Sequence, residues 1–323
     1  MRVFLTGATG YIGGAVTDVL RAGGHELTGL ARSDSSAARL TAAGIRPVRG
    51  DLSEPSSLAA AARAADAVIN LASAYDAAVD GPAVDAILDA LAGRDKPFIY
   101  TSGIWSYGDT GGTVVDETSP VHPAPLVAWR QAVEDRVREG AKRGIRSIVF
   151  RPAVVYGRAG GLPAGFAESA RKNGAARFVG TGQNRWPLVH VDDLADLYAI
   201  ALDRAPAGTL LLGVHGPSQR VRDLAAAASR GAGAAGRTVA WPLEEARQKL
   251  GAYADALVLD QQASGQRAEE LGWRPHRPDA PSAGRRQGAH ARPWRPARCR
   301  RHHHPRRQQG RHAARRSGEV ERP

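Results

Sequence analysis

The first 13 residues, MRVFLTGATGYIG (Met1–Gly13), decide the fold of this chain. Arg2–Thr6 predicts a short buried strand, and Tyr11 begins a predicted helix. A glycine-rich turn between a strand and a helix is typical of dinucleotide-binding sites. Its glycines permit a tight turn, a close approach of the pyrophosphate and close packing of helix on strand, and the helix N-terminus attracts the phosphates. The residues that this turn assigns to cofactor binding are Gly7, Thr9, Gly10, Tyr11, Ile12 and Gly13.

Strand and helix patterns alternate beyond this turn, which predicts an α/β, Rossmann-type doubly wound parallel sheet. A smaller substrate-covering C-terminal portion is predicted where the alternation loosens. The dinucleotide-binding domain would take residues 1–155 and about 185–215, and the covering portion about 156–184 and 216–275. The predicted strands of the first part are Arg2–Thr6, Glu26–Ala31, Arg46–Arg49, Ala67–Leu71, Phe98–Thr101 and Ser147–Phe150. Its predicted helices are Tyr11–Ala22, Ser35–Ala43, Ala83–Ala92 and Val127–Arg143.

The net charge of +12 on 323 residues is concentrated at the C-terminus. Fifteen arginines and three acids lie in Arg274–Pro323, so that stretch accounts for the whole excess and the remainder is balanced. Residues 276–323 have no apolar periodicity and predict a disordered basic tail. Two origins stay open for it: a frameshifted or otherwise non-native C-terminus, and a genuine arm that binds nucleic acid. Without a genuine arm, no nucleic-acid partner is expected.

The cysteine count and the lengths of the apolar runs narrow the class of protein further. The single cysteine, Cys299, excludes an internal disulfide framework and a cysteine-based metal site, and no metal is predicted. No run of about 18 apolar residues and no signal peptide are seen, so a cytoplasmic protein without membrane contact is expected. The expected partner is a small-molecule substrate, and a homodimer through the helix over 127–143 stays open.

The end of the second strand predicts which dinucleotide binds. Sites for NAD place an acid there, on the ribose 2′-hydroxyl, whereas this chain has Arg32 followed by Ser33. A guanidinium suits a 2′-phosphate, so NADP is the predicted cofactor. NAD stays open because Asp34 follows two residues later.

Several motifs follow one another along the chain: Thr6–Gly13, Gly50-Asp51-Leu52, Asn70-Leu71-Ala72, Tyr100–Gly103 with Tyr107-Gly108, Arg151–Gly157, Val189–Leu194 and Leu271–Pro275. Over roughly residues 1–275, this set resembles the extended and atypical short-chain dehydrogenase/reductase superfamily, also called the NAD-dependent epimerase/dehydratase family. The resemblance implies that Asp51 and Leu52 flank the adenine and that Leu71 and Ala72 line the path to the nicotinamide ribose. Pro152, Ala153 and Val154 would pass beside the nicotinamide. Residues 190–194 would be a structural joint, with Asp192 capping the helix.

The chain departs from the superfamily at the catalytic residues. Members use a serine together with a Tyr-x-x-x-Lys pair, in which the tyrosine transfers the proton and the lysine lowers its pKa. Glu134 matches the acid that follows the lysine, which puts Arg130 at the lysine position and Leu126 at the tyrosine position. Leucine has no proton to give, whereas arginine still binds ribose or phosphate. The serine position falls on Ser102 in one alignment and on Gly103 in another.

Three functions stay open after this departure. The favoured one is an atypical NAD(P)H-dependent reductase of a small or polycyclic carbonyl compound, with the proton supplied by Tyr107, Ser102 or water. The others are a nucleotide-sugar epimerase or dehydratase and a non-catalytic NADP-binding sensor or regulator. The candidate catalytic residues are Ser102, Tyr107 and Arg130. The aromatic side chains predicted to shape the substrate pocket are Trp105, Tyr107 and Trp129, and those expected near its mouth are Tyr156, Arg158, Arg185 and Trp186.

Overall fold

The computed structural model of the chain describes residues 1–277. Its strands are β1 (Arg2–Thr6), β2 (Glu26–Ala31), β3 (Arg46–Arg49), β4 (Ala67–Asn70), β5 (Pro97–Thr101), β6 (Val114–Val115), β7 (Arg146–Pro152), β8 (Val154–Gly157), β9 (Gly160–Gly161), β10 (Ala176–Val179), β11 (Arg185–Trp186), β12 (Leu188–His190), β13 (Thr209–Gly213), β14 (Gln219–Arg220), β15 (Thr238–Trp241) and β16 (Gln262–Ala263). Its α-helices are α1 (Tyr11–Ala22), α2 (Asp34–Ala42), α3 (Pro55–Ala64), α4 (Ala77–Leu91), α5 (Arg130–Glu139), α6 (Ala164–Asn173), α7 (Val191–Arg204), α8 (Val221–Gly231), α9 (Leu243–Leu250), α10 (Ala252–Leu257) and α11 (Gln266–Glu270). Single 3-10 turns span Ile104–Tyr107, Pro125–Val127 and Gly140–Arg143.

A seven-stranded sheet forms the centre of the molecule, in the order β13-β7-β5-β4-β1-β2-β3. Every neighbouring pair in it is parallel. The chain moves outward in one direction from β1 to β3 and then in the other from β4, so the strand order reverses between β1 and β4. Ligands of such sheets bind beyond the carboxyl ends of the strands at this reversal. The predicted doubly wound α/β fold is confirmed.

Both faces of the sheet are covered over its central strands, which explains their continuous apolar runs, whereas the edge strand β3 is only partly buried. Successive side chains of a strand point to opposite faces. In β1, Val3 and Leu5 pack with α1 and α7, whereas Phe4 packs with α3 and α4 on the other side. All three are fully buried.

In the first part of the chain, three helices differ from the sequence predictions by more than one residue. The helix predicted over Val127–Arg143 is α-helical only over Arg130–Glu139, with a 3-10 turn before and after it. The helix predicted from Ala83 begins at Ala77, because Pro82, which ordinarily marks a helix start, lies inside it. The sequence analysis missed α3, whose Ala-rich sequence gives a weak apolar pattern.

The smaller portion has its own apolar cluster, built mainly on α6 and α8. Near its end, Trp273 is buried and its indole N–H donates to the carbonyl oxygen of Asp193 over 2.7 Å. Arg277 pairs with the carboxylates of Asp193 and Asp196 on α7, so the first two residues of the predicted tail belong to the packed body. The rest of that tail, with Cys299 and the histidine run, lies outside the described residues. Within residues 1–277, no helix combines the length and apolarity needed to cross a membrane.

Candidate functional site

The glycine-rich turn lies at the strand reversal, between β1 and α1. A methyl group on Gly13 would come within 2.1 Å of the carbonyl oxygen of Gly7, so only glycine allows this approach of helix to turn. No side chain caps α1, which leaves N–H groups of its first turn for a phosphate. Ala72 donates its N–H to the Thr6 hydroxyl over 3.2 Å, which brings the segment predicted to line the ribose path beside this turn.

The residues predicted to meet the adenosine end of a dinucleotide include a cation, Arg32, whose nearest acid in the sequence is itself paired. Asp34 forms an ion pair with Arg49. Arg32 is exposed at the end of β2. Hydrogen bonds from Ser53 hold the pKa of Asp51 below its ordinary value, and the charge of Arg32 adds to this effect. Ser33 caps α2, with its hydroxyl accepting the N–H of Ser36.

A cavity of about 200 Å³ opens beyond the carboxyl ends of β5 and β7. Segments distant in sequence meet around it: the start of α1, the turn after β5 and the connection from β7 to β8. The predicted site residues that line it are Tyr11, Ile12, Ser102, Arg130, Pro152, Ala153 and Val154. Among the described lining residues, Arg130 is the only one with a charged side chain.

Arg130 is held firmly in this cavity. Arg130 is only 7% exposed, and its Nη2 donates to the hydroxyl of Ser73 over 3.3 Å. Its guanidinium lies 4.9 Å from the ring centre of Tyr75 and 5.3 Å from that of Trp129. Leu126, four residues earlier, lies in a 3-10 turn and does not line the cavity, whereas its neighbour Val127 does.

Ser102 connects the cavity to a buried ion pair. Its hydroxyl lies 3.5 Å from that of Ser106, which donates to Glu134 over 3.2 Å. Glu134 is fully buried and accepts two bonds from Nε of Arg151, at 3.0 and 3.3 Å, besides a contact with Nη2. These contacts link the candidate catalytic serine to the buried pair of Glu134 and Arg151.

The structure does not bring Tyr107 to the cavity. Its hydroxyl donates to the backbone carbonyl of Asp116 over 2.7 Å, and its buried ring lies 4.7 Å from the Arg151 guanidinium. Trp129 also lies outside the lining, so only Trp105 of the three aromatic residues predicted for the pocket belongs to it. Within the 3-10 turn over Ile104–Tyr107, the side chain of Trp105 reaches the cavity whereas that of Tyr107 is buried away from it.

The four residues expected near the mouth do not line the cavity either. Trp186 is buried and stacks on Phe166, and Tyr156 packs edge-on against His190. Arg185 lies in β11, paired with β14. Arg158 is bound between two acids, Asp18 on α1 and Asp192 on α7.

Residues 190–194 join β12 to α7, and the residue that caps this helix is not the predicted one. Asp192 was expected at the cap. The helix instead begins at Val191, and Nδ1 of His190 accepts the N–H of Asp192 over 3.2 Å. Burial lowers the pKa of His190 despite two nearby acids.

The hairpin of β8 and β9 rests on the glycine-rich turn. The Tyr11 hydroxyl donates to the carbonyl oxygen of Gly157 over 2.7 Å. A methyl group on Gly160 would lie 2.3 Å from the Tyr11 ring, so the absence of a side chain there makes room for it. The first residue of α1 therefore belongs both to the cofactor turn and to the wall of the cavity.

Two aromatic residues of the cavity were missed by the sequence analysis. Tyr75 follows β4, and Tyr253 lies on α10. A signal existed for Tyr75, because it comes shortly after Asn70-Leu71-Ala72 at the carboxyl end of a central strand. The sequence holds no comparable signal for Tyr253, which reaches the cavity only through the packing of the covering portion.

The model of the NAD dependent epimerase/dehydratase family matches residues 3–213. An uncharacterised protein of Schizosaccharomyces pombe is 31% identical over 290 residues, which are 85% of this chain and 95% of that protein. The 2′-dehydrokanamycin reductase of Streptomyces kanamyceticus is 32% identical over 221 residues, which are 64% of this chain and 59% of that protein.

Solved structures share the fold. UDP-glucose 4-epimerase of Thermus thermophilus, in complex with NAD, has a TM-score of 0.73 and 22% identity, over 88% of this chain and 97% of that one. Human epimerase family protein SDR39U1, isoform 2, with NADPH has a TM-score of 0.67 and 23% identity, over 88% of this chain and 98% of that one. Nicotinamide dinucleotides of both kinds thus occur in proteins of this fold.

Proposed function

This chain belongs to the NAD dependent epimerase/dehydratase family, and from that premise we propose that it is an NADPH-dependent reductase of a small or polycyclic neutral carbonyl compound. One observation carries the proposal. The cavity beside the cofactor turn is lined mainly by apolar and aromatic residues, and Arg130 gives it a single charge among the described lining residues. Such a cavity suits an uncharged substrate.

The residues present fit a nicotinamide dinucleotide, because the glycine-rich turn offers space and free N–H groups for a pyrophosphate. Arg32 and Ser33 would hold a 2′-phosphate, since Asp34 is engaged by Arg49. Asp51 and Leu52 would flank the adenine, and Pro152–Val154 would lie beside the nicotinamide. When bound in reduced form, this group supplies a hydride.

The chain's own residues would bind and polarise the carbonyl. The Ser102 hydroxyl is the candidate donor to its oxygen. Since Ser106 gives its own proton to Glu134, Ser102 would turn its proton away from Ser106, 3.5 Å distant, and toward the substrate. Arg130, at the position of the family lysine, supplies a fixed positive charge. With Leu126 at the tyrosine position and Tyr107 outside the cavity, the proton would come through Ser102 or from water.

A nucleotide sugar fits this site less well. Its two phosphates would need several free cations, but Arg158 is bound by two acids, and Arg130 is the single charged residue among the described lining residues. Relatives named as reductases support carbonyl reduction, among them the one from Streptomyces kanamyceticus. Leu126 favours a second candidate, a regulator that binds NADP without turning it over.

The test follows oxidation of NADPH at 340 nm with a panel of ketones and quinones, beside calorimetric titration with NADP⁺. Turnover of at least one carbonyl compound is expected. Binding of NADP⁺ without any turnover would support the regulator, and conversion of a nucleotide sugar would overturn the proposal. Leu126→Tyr should raise a weak activity if residues 126 and 130 occupy the family's tyrosine and lysine positions.

A further inference from the structure

Tyr75 has an unusual backbone at the edge of the candidate site. Its φ is +56°, in the left-handed region of backbone conformation that residues other than glycine, asparagine and aspartate rarely adopt. Such a conformation costs free energy and persists only where the surroundings fix it, which happens often at ligand sites.

A buried carboxylate fixes this segment. Asp80, in the first turns of α4, accepts hydrogen bonds from the Ser73 hydroxyl at 3.1 Å, the Ala74 N–H at 3.0 Å and the Asp76 N–H at 3.2 Å. The Tyr75 N–H donates to the Ser73 hydroxyl over 3.1 Å. The loop is therefore built to hold residue 75 in its strained conformation.

The result is an aromatic ring presented to the cavity. Tyr75 lines the cavity, yet half of its surface is exposed, so the ring has area left for a ligand. The Arg130 guanidinium, 4.9 Å from the ring centre, limits its movement. A ring already fixed in place loses little freedom when a ligand stacks on it.

Three more aromatic residues line the same cavity: Tyr11 from the start of α1, and the pair of Trp105 and Tyr253. Trp105 and Tyr253 pack edge to face, with ring centres 5.7 Å apart and planes at 74°. Tyr75 and Tyr253 both line this cavity, and burial raises the pKa of Tyr253, with a smaller contribution from Tyr75. Four aromatic rings, from α1, from the segments after β4 and β5 and from α10, thus surround a space of about 200 Å³.

We propose that Tyr75 is a substrate-stacking residue and that the substrate is an uncharged, planar, conjugated carbonyl compound, such as an aryl ketone or a quinone. The inference rests on the proposed reductase function and narrows its substrate class. Flat conjugated rings stack on aromatic side chains, whereas saturated rings of the same size lose that geometry.

The test measures binding without turnover, by calorimetry on the full chain saturated with NADP⁺. The probes are 1-tetralone, an aryl ketone, and 1-decalone, its saturated bicyclic counterpart. The native chain should bind 1-tetralone more tightly by about two- to twelvefold, the range expected of one aromatic pair. Tyr75→Phe should keep this ratio, and Tyr75→Leu should reduce it to near one while the Kd of 1-decalone changes less than about twofold.

A stability measurement separates stacking from a merely structural role. Asparagine tolerates positive φ, so Tyr75→Asn should keep or raise the Tm while losing selectivity for 1-tetralone. Equal losses of both ketones in Tyr75→Leu, or no preference in the native chain, would overturn the stacking role. Selective binding of 1-tetralone without turnover of any ketone would leave stacking intact and refute the reductase proposal instead.

Discussion

The buried pair of Glu134 and Arg151 permits a sharp stability prediction, in which Glu134→Gln is the perturbation. Glu134 is 0% exposed and Arg151 is 4% exposed, so neither charge is solvated. Glutamine has nearly the same shape but leaves the guanidinium without a counter-charge. The hydroxyl of Ser106 also loses a charged acceptor, because it donates to the same carboxylate.

The expected cost follows from this burial. Removing one partner of a buried pair costs about 3–5 kcal/mol. The amide oxygen still accepts one bond, and the Tyr107 ring still faces the guanidinium at 4.7 Å, so the lower end is expected, about 3 kcal/mol. At roughly 2–4 °C per kcal/mol for a domain of this size, the Tm should fall by about 6–12 °C.

Urea unfolding followed by circular dichroism measures the change directly. Glu134→Leu combined with Arg151→Met removes both charges and should recover most of the lost stability. Asp135→Asn, on the exposed side of the same helix, serves as the control and should change stability by less than about 0.5 kcal/mol. A cost below about 1 kcal/mol for Glu134→Gln, or a double variant as unstable as the single one, would refute the reasoning.

Three further predictions concern other parts of the site. Arg32→Ala should lower the preference for NADPH over NADH by about 10- to 100-fold in Kd, since charge-assisted hydrogen bonds contribute about 1.5–3 kcal/mol, and an unchanged preference would contradict the NADP assignment. Asp80→Ala should speed hydrogen exchange at the amides of Ala74 and Asp76, which both donate to the Asp80 carboxylate. Equal protection of these amides in the native and variant proteins would show that the loop keeps its conformation without this carboxylate. Because burial lowers the pKa of His190, the free energy of unfolding should decline as pH falls below the ordinary value of 6.5. His190→Asn keeps a capping acceptor and should weaken that decline, and an identical pH profile would contradict this origin.

The sheet was predictable because its strands are buried on both faces and separated by helical patterns. The sequence of β1 is a continuous apolar run, and the structure buries it between two helical layers. The bounds of the helices were harder to predict from the sequence than the strands of the sheet. Because proline ordinarily marks the start of a helix, Pro82 made the residues before it in α4 look non-helical. The Ala-rich α3 has few large apolar side chains to show a helical period.

The candidate site was predictable where it follows from parallel strands. Ser102 and Pro152–Val154 end neighbouring strands, so they meet at one edge. Tyr107 could not be placed, because a single 3-10 turn decides which way its ring points. Tyr253 comes to the cavity only by packing of the covering portion, which leaves no local signal in its sequence.

The contact between Tyr11 and Gly160 ties together the evolution of two segments far apart in the chain. Since a methyl group at residue 160 would overlap the Tyr11 ring, a side chain can appear there only when residue 11 becomes smaller. Positions 11 and 160 should therefore covary among relatives. In a chimera that takes residues 156–184 from another family member, residue 11 has to be exchanged with that segment, although it belongs to the cofactor turn.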